Sequence, residues 1–202
     1  MSKLETITID TPSGSNTMQI GSTNTATINI GASGDTVNIP SGVTIANAGT
    51  ATGFGGTNTP AFIAKYSGNG SGFAHATYTK LSFDSEVYDS GSVYDASNYK
   101  FTPGVAGKYQ LYARIIFQAG GAAPNQTRIA IYKNGSILQY SRLTFSVGSL
   151  GDWSVEISHI DTANTTDYYE AYAYQANSGS STTFTIGDSG LTNIFYGYKL
   201  IT

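Results

Sequence analysis

Between Ile7 and Ile45 every bulky apolar residue falls into a spaced pair: Ile7/Ile9, Met18/Ile20, Ile28/Ile30, Val37/Ile39 and Val43/Ile45. The first members lie 11, 10, 9 and 6 residues apart, a period near ten that shortens along the chain. Each pair has one intervening residue, so both side chains point to one face of an extended strand. Gly21, Gly31 and Pro40 follow three of the first four pairs directly and mark turns. A strand with two apolar side chains buries almost nothing alone. It needs copies of itself, from the next repeat or from other chains. The stretch has no helical periodicity, and its β-branched pairs argue against a disordered leader despite its Thr, Ser, Asn and Gly content.

Composition changes sharply beyond this stretch. All 25 aromatic residues lie at or after Phe54, and Asp35 is the only charged residue between Thr11 and Ala64. Two parts with different building rules share the 202 residues: a β-repeat stem over 1–45 and a larger region over 60–202. The Gly/Thr/Asn-rich stretch 46–59 reads as a linker. Charged residues make up 11% of the chain, against a usual share of about a quarter, and the net charge is −3. Nothing in that balance suggests nucleic-acid binding. There is no cysteine, which excludes disulfides, a thiol nucleophile and Cys-type zinc. No apolar run is long enough to span a membrane, and the first residues lack the apolar h-region of a signal peptide.

The region 60–202 reads as all-β. Strands are expected at 61–66, 79–83, 107–117, 128–133, 137–145, 153–160, 168–175, 182–186 and 193–200, separated mostly by Gly-, Asn- or Asp-bearing turns. Asn134-Gly135 between Ile129–Tyr132 and Ile137-Leu138 is the clearest hairpin signal. So many short strands predict a two-sheet sandwich or jelly roll.

Catalytic motifs are missing. His75 and His159 are the only histidines and form no His-x-x-x-His pair; both read as structural or solvated. There is no Gly-x-Ser-x-Gly elbow. Gly68-Asn-Gly-Ser-Gly72 is glycine-rich, but no Gly-Lys-Ser/Thr closes it as a P-loop. The acids Asp84, Glu86, Asp89 and Asp95 offer neither EF-hand spacing nor a fixed pair of carboxylates. The chain is expected to be no enzyme and to need no cofactor.

Two resemblances sharpen this reading. The run Ser22-Thr-Asn-Thr-Ala-Thr-Ile-Asn-Ile-Gly31 resembles the shaft repeats of phage and viral tail fibres. In the larger region, Pro60-Ala-Phe-Ile-Ala64 and Leu81-Ser-Phe-Asp84 resemble the opening strands of C1q-like domains. Tyr94-Asp95, Tyr99-Lys-Phe-Thr-Pro103 and Gly107-Lys-Tyr109 follow in that family's order, as do the Lys133-Asn-Gly135 turn and the closing Phe195-Tyr-Gly-Tyr-Lys-Leu200. Asp167-Tyr-Tyr-Glu-Ala171 stands where the family has Gly-Asp, with Thr166 in place of the glycine. These resemblances imply an all-β chain: a thin trimeric β-stem followed by a C1q/TNF-like jelly-roll head. They imply a homotrimer, non-enzymatic, on the outer surface of a virion. Its N-terminal end would join other virion proteins, and its head would bind a host-cell glycan or protein. A decoration trimer without a receptor and a secreted C1q-like ligand are the alternatives. Some C1q-like trimers bind calcium, which is the only metal the resemblance brings in.

The resemblance also assigns surfaces. Alternation puts Tyr169, Ala171 and Ala173 on one face and Tyr168, Glu170, Tyr172 and Tyr174 on the other. Tyr109 and Leu111 point inward, with Tyr112 outward. In the closing strand either Phe195 and Gly197 point inward with Tyr196 and Tyr198 outward, or the reverse, since the glycine leaves the face open. If these strands share the family's inner sheet, then Tyr112, Tyr168, Tyr172, Tyr174 and Tyr198 form an aromatic trimer interface. Ile7, Ile9, Ile20, Ile28, Ile30, Ile39 and Ile45 would do the same in the stem. A rival reading makes the tyrosine stripe a stacking platform for sugar rings. Receptor contacts are expected in far-end loops over 67–77, 118–127, 161–166 and 187–193, from Asn69, Ser71, Asn125, Gln126, Asn164, Asp188 and Asn193.

Overall fold

The computed structural model describes residues 20, 27–46, 58–68, 70–118, 124–146, 152–177, 184–187 and 193–201. The chain divides into two units, Met1–Ala51 and Thr52–Thr202. All but three residues of the expected linker, and Ile7 and Ile9 of the stem, lie outside the described residues.

In the first unit the described residues form no strand. Two four-residue turns punctuate the chain. Asp35 N donates to Ala32 O at 3.0 Å, and Ala32 N donates back to Asp35 Oδ2 at 2.7 Å. Val43 N donates to Pro40 O at 3.3 Å. The third residue of each turn is a glycine at positive φ, 96° at Gly34 and 86° at Gly42, as a type II turn requires. The apolar residues between and beside the turns are exposed: Ile28 47%, Ile30 69%, Ile39 43% and Ile45 52%. The expected strands thus have no ladder partner within the described part of their own chain.

The second unit is the expected two-sheet sandwich. Its strands are β1 (Ala61–Lys65), β2 (Gly70–Phe73), β3 (Thr79–Lys80), β4 (Ser85–Asp89), β5 (Tyr94–Asp95), β6 (Lys100–Phe101), β7 (Gly107–Gln118), β8 (Pro124–Lys133), β9 (Ser136–Thr144), β10 (Trp153–Ala163), β11 (Tyr169–Asn177), β12 (Phe184–Ile186) and β13 (Ile194–Lys199). One sheet runs β2-β12-β7-β13-β1-β4, with β10 also paired to β7. The other runs β5-β6-β11-β8-β9, with β3 also paired to β11. All pairings are antiparallel.

Period-two alternation builds the core. Along β7 Tyr109, Leu111, Ala113, Ile115 and Phe117 are buried, while the residues between them are half-buried. Tyr169, Ala171 and Ala173 of β11 close the core from the other sheet. At its centre Phe62 stacks on Tyr94 and Phe101, with ring centroids 4.7 and 4.4 Å apart, and meets Phe195 edge-on at 4.9 Å. The Tyr94 hydroxyl donates to Phe83 O at 2.7 Å, so a buried ring keeps its polar tip satisfied. Gly197 is required by close approach: a Cβ there would meet Leu111 at 2.9 Å and Phe62 at 3.1 Å. The Asn134-Gly135 hairpin is present, with φ of 53° and 78°, the two left-handed residues of a type I′ turn.

Two expectations fail here. β11 does not share a sheet with β7 and β13, so Tyr168, Tyr172 and Tyr174 are separated from Tyr112 and Tyr198. Alternation tells which side of a strand is buried; the sheet it joins is set by long-range pairing, here β11 with β8, β6 and β3. Asn164 is also not at the same end as Asn125 and Asn193. β10 runs antiparallel to β7 from Trp153 opposite Phe117 to Ala163 opposite Gly107, which carries the 164–168 turn to the opposite end.

Candidate functional site

The sandwich presents two aromatic faces, one on each sheet. On the seven-stranded sheet, cross-strand register lines up Tyr88, Ile63, Tyr196 and Tyr112 in one row. Directly opposite residues on neighbouring strands point to the same face. Tyr112 and Tyr196 stack at 4.9 Å, and the Tyr112 hydroxyl donates to Glu156 Oε2 at 2.6 Å. Burial, then that carboxylate, push the Tyr112 hydroxyl up to about 12. Beside this row a groove of about 510 Å³ is lined by Ala61, Ile63, Tyr88, Ile194, Tyr196 and Tyr198, among others. This face is mainly apolar and aromatic.

The six-stranded sheet presents a different surface. One row runs Lys80, Tyr172, Ala130, Tyr140 and the next Tyr174, Arg128, Arg142. Tyr132 stacks on Tyr172 at 3.8 Å, and Tyr78, just before β3, packs 5.0 Å from Tyr174 and 5.9 Å from Tyr132. The Arg128 guanidinium lies 4.7 Å from the Tyr174 ring centroid, 5.1 Å from Tyr140 and 6.0 Å from Tyr78. Its Nη1 donates to the Tyr78 hydroxyl at 3.1 Å and its Nη2 to Gln126 Oε1 at 3.0 Å. Lys80 pairs with Glu170, whose other oxygen accepts from the Tyr172 hydroxyl at 3.3 Å. Burial first, and Glu170 second, raise the Tyr172 hydroxyl to about 12.

The loop candidates are scattered. Asn125 is exposed, and Gln126 is spent on Arg128. Asn164 builds its own turn, its Oδ1 accepting from the backbone N of Thr166 at 2.8 Å and of Asp167 at 2.9 Å. Asn193 is fully buried: its Oδ1 accepts from Ile116 N at 2.7 Å and its Nδ2 donates to Gly187 O at 2.8 Å. It holds the fold and cannot face a receptor, which corrects the reading of Asn193 as a contact. Asn69 and Asp188, and the side chain of Ser71, lie outside the described residues. Tyr168 precedes β11, with Lys100 Nζ 5.2 Å over its ring. Sequence reading missed Tyr78, Arg128, Tyr132 and Tyr140 as one cluster. The signal was the alternation of Arg128 with Ile129 and Ile131, which sends its side chain to the outer face together with Tyr132.

The acids are occupied by local structure. Asp84 accepts from Ser67 N and Oγ, Asp89 from the N of Val93 and Tyr94, and Asp95 from Ser97 and Asn98. Among the described residues no group of three His, Cys, Asp or Glu is placed to hold a metal. At the far end of β8, Lys133 Nζ bridges Asp161 at 2.8 Å and Asp167 at 3.1 Å, and the Tyr169 hydroxyl donates to Asp161 at 2.7 Å. The backbone N of Asn164, then the Asn134 amide and Lys133, hold the Asp167 carboxyl at about 2, below its ordinary 3.8. A depressed carboxyl stabilises the fold above its unfolded value and loses that contribution as pH falls through the folded one. The thermal midpoint of the head is therefore expected to drop between about pH 4 and pH 2. Asp167→Asn should flatten that part of the profile; a variant with the wild-type acid dependence would show that Asp167 does not carry it.

No protein-family model matches the sequence, and no curated protein matches it either. Among solved structures the chain is similar to murine APRIL: at pH 8.0 the TM-score is 0.52 with 13% identity over 69% of this chain and 98% of the other. The pH 5.0 structure of murine APRIL gives 0.50 with 12% identity over the same shares. The globular domain of the zebrafish complement 1qA protein scores 0.46 with 12% identity, over 70% of this chain and 96% of that one. The described residues of the second unit thus form an all-β jelly roll in two antiparallel sheets, the fold seen in murine APRIL. No helix among the described residues is long and apolar enough to cross a membrane.

Proposed function

We propose that the protein is a non-enzymatic homotrimeric fibre or spike on a virion surface, of phage tail-fibre type, whose head binds a glycan receptor on a host cell. The observation that carries this reading is that two separate surfaces of the chain carry exposed or half-exposed apolar side chains. Among the described residues, the stem isoleucines Ile20, Ile28, Ile30, Ile39 and Ile45 stand exposed. The row Tyr88, Ile63, Tyr196 and Tyr112 presents an apolar aromatic face on the head. Three copies would bury both. Three identical weak sites on one rigid head then bind by avidity, with no catalysis required. The fold supports such a trimer, and the Thr/Asn/Gly repeats favour a fibre over a secreted ligand.

Light scattering should return three times the 21.2 kDa of one chain. A monomer at micromolar concentration would remove the architecture. Added protein should block adsorption of the phage that carries it. Labelled electron microscopy on particles should place it at a fibre tip. Absence of both competition and cell binding would favour a decoration trimer.

A further inference from the structure

The six-stranded sheet carries an arrangement that trimer formation does not account for. Arg128 and Arg142 are direct cross-strand partners on one face. Like charges placed directly opposite destabilise a sheet. Among the described residues neither arginine has a carboxylate partner. Arg128 Nε is buried without a hydrogen-bond partner. Arg128 is held against the Tyr174 and Tyr140 rings, with Nη1 on the Tyr78 hydroxyl and Nη2 on Gln126 Oε1, so it supplies a fixed positive charge beside the exposed Arg142, whose guanidinium fork faces solvent. The chain as a whole is acidic, with a net charge of −3, so this positive pair is a local feature. Tyr140 is 43% exposed and Arg142 is exposed.

We propose that this face binds a saccharide bearing an anionic group, a carboxylate or phosphate. The paired arginines would take the anion, and the Tyr140 and Tyr174 rings would stack on the sugar. The inference rests on the adhesin reading and locates its contact on the sheet, away from the end loops. Planar guanidinium donors match carboxylate and phosphate oxygens in a bidentate fork. Tyrosine rings cover the apolar C–H face of a pyranose while their hydroxyls reach its oxygens. A neutral glycan would leave the two arginines facing each other unneutralised. A protein partner with an apolar surface would have to bury both charges.

The test uses the full-chain protein and defined probes: 3′-sialyllactose against lactose, trigalacturonate against maltotriose, and inorganic phosphate alone. Binding is read by saturation-transfer NMR and calorimetry. At least one acidic probe should bind more tightly than its neutral counterpart and weaken as salt rises. Arg142→Gln and Tyr140→Ala, both at exposed positions, should each weaken that binding by about 10- to 100-fold with light scattering unchanged. Asn125→Ala, at the start of β8 and not in the loop expected over 118–127, should leave it unaltered. Equal binding of acidic and neutral probes overturns the proposal, as does binding lost through Asn125→Ala and kept in Arg142→Gln. Phosphate competing as well as the acidic sugars reduces the site to an anion site and overturns the saccharide claim. Cell adhesion by the wild type separates the two readings. Adhesion retained in Arg142→Gln defeats this site and leaves the adhesin standing, whereas no adhesion by the wild type defeats the adhesin itself.

Discussion

Phe62→Ala should cost the head about 3–5 kcal/mol, the range for truncating a buried phenylalanine. Phe62 is 1% exposed and touches three aromatic rings, two stacked and one edge-on. It sits on β1, which pairs with β13 on one side and β4 on the other. Its ring reaches Phe101 on β6 of the opposite sheet. Removing it opens a cavity where the two sheets meet, and the neighbouring rings cannot collapse into it without leaving their own contacts. A domain is ordinarily stable by about 5–15 kcal/mol, so the change removes a large share. Urea unfolding at fixed protein concentration measures it, since association would otherwise shift the midpoint. Phe62→Leu, which keeps most of the volume, should lose clearly less. A loss of under about 1 kcal/mol for the alanine variant would mean that the ring does not bridge the sheets as described.

Asn193→Leu should be comparably damaging for a different reason. The side chain is of similar size, so packing changes little. What is lost is the partner of two backbone groups, the half-buried Ile116 N–H and the buried Gly187 C=O. Leaving a buried donor or acceptor unpaired costs about 1–3 kcal/mol, so Gly187 C=O alone accounts for that much and the half-buried Ile116 N–H adds to it. The damage should be local: Asn193 ties the end of β7 to the residue that follows β12. Hydrogen exchange should therefore show Ile116 N–H losing protection before the middle of β7 does. Asn125→Ala, at an exposed position, should stay within about 0.5 kcal/mol of wild type. Equal effects of the two substitutions would refute the assignment of Asn193 to the fold.

These two residues show what kind of information the sequence holds. Phe62 was legible as a bulky apolar residue of the expected strand 61–66, although its apolar neighbours Ala61 and Ile63 left its inward side open. Asn193 was not legible as a buried residue. An asparagine near a glycine-rich segment reads as turn chemistry, and only the close approach of β7 shows that its amide is buried and fully engaged. The tyrosines divide in the same way. Alternation separated Tyr172 and Tyr174 from Ala171 and Ala173 correctly. It said nothing about which sheet β11 enters, and grouping all the tyrosines into one interface followed from a family resemblance. Pairing with β8 places Tyr174 beside Arg128 and moves those rings to the opposite sheet from Tyr112.

The sequence by itself determined the all-β class, the inward and outward sides of the long strands, the Asn134-Gly135 hairpin and the break in composition before the head. All of these rest on local rules: period-two alternation, positive-φ turn residues and the aromatic content needed for a core. Tertiary structure alone decided sheet membership, the end at which each loop emerges, the burial of Asn193 and the meeting of Arg128 with Arg142. Those depend on contacts between residues far apart in the chain, whose register is chosen by the packing of the whole sandwich and leaves no periodic trace in any one segment.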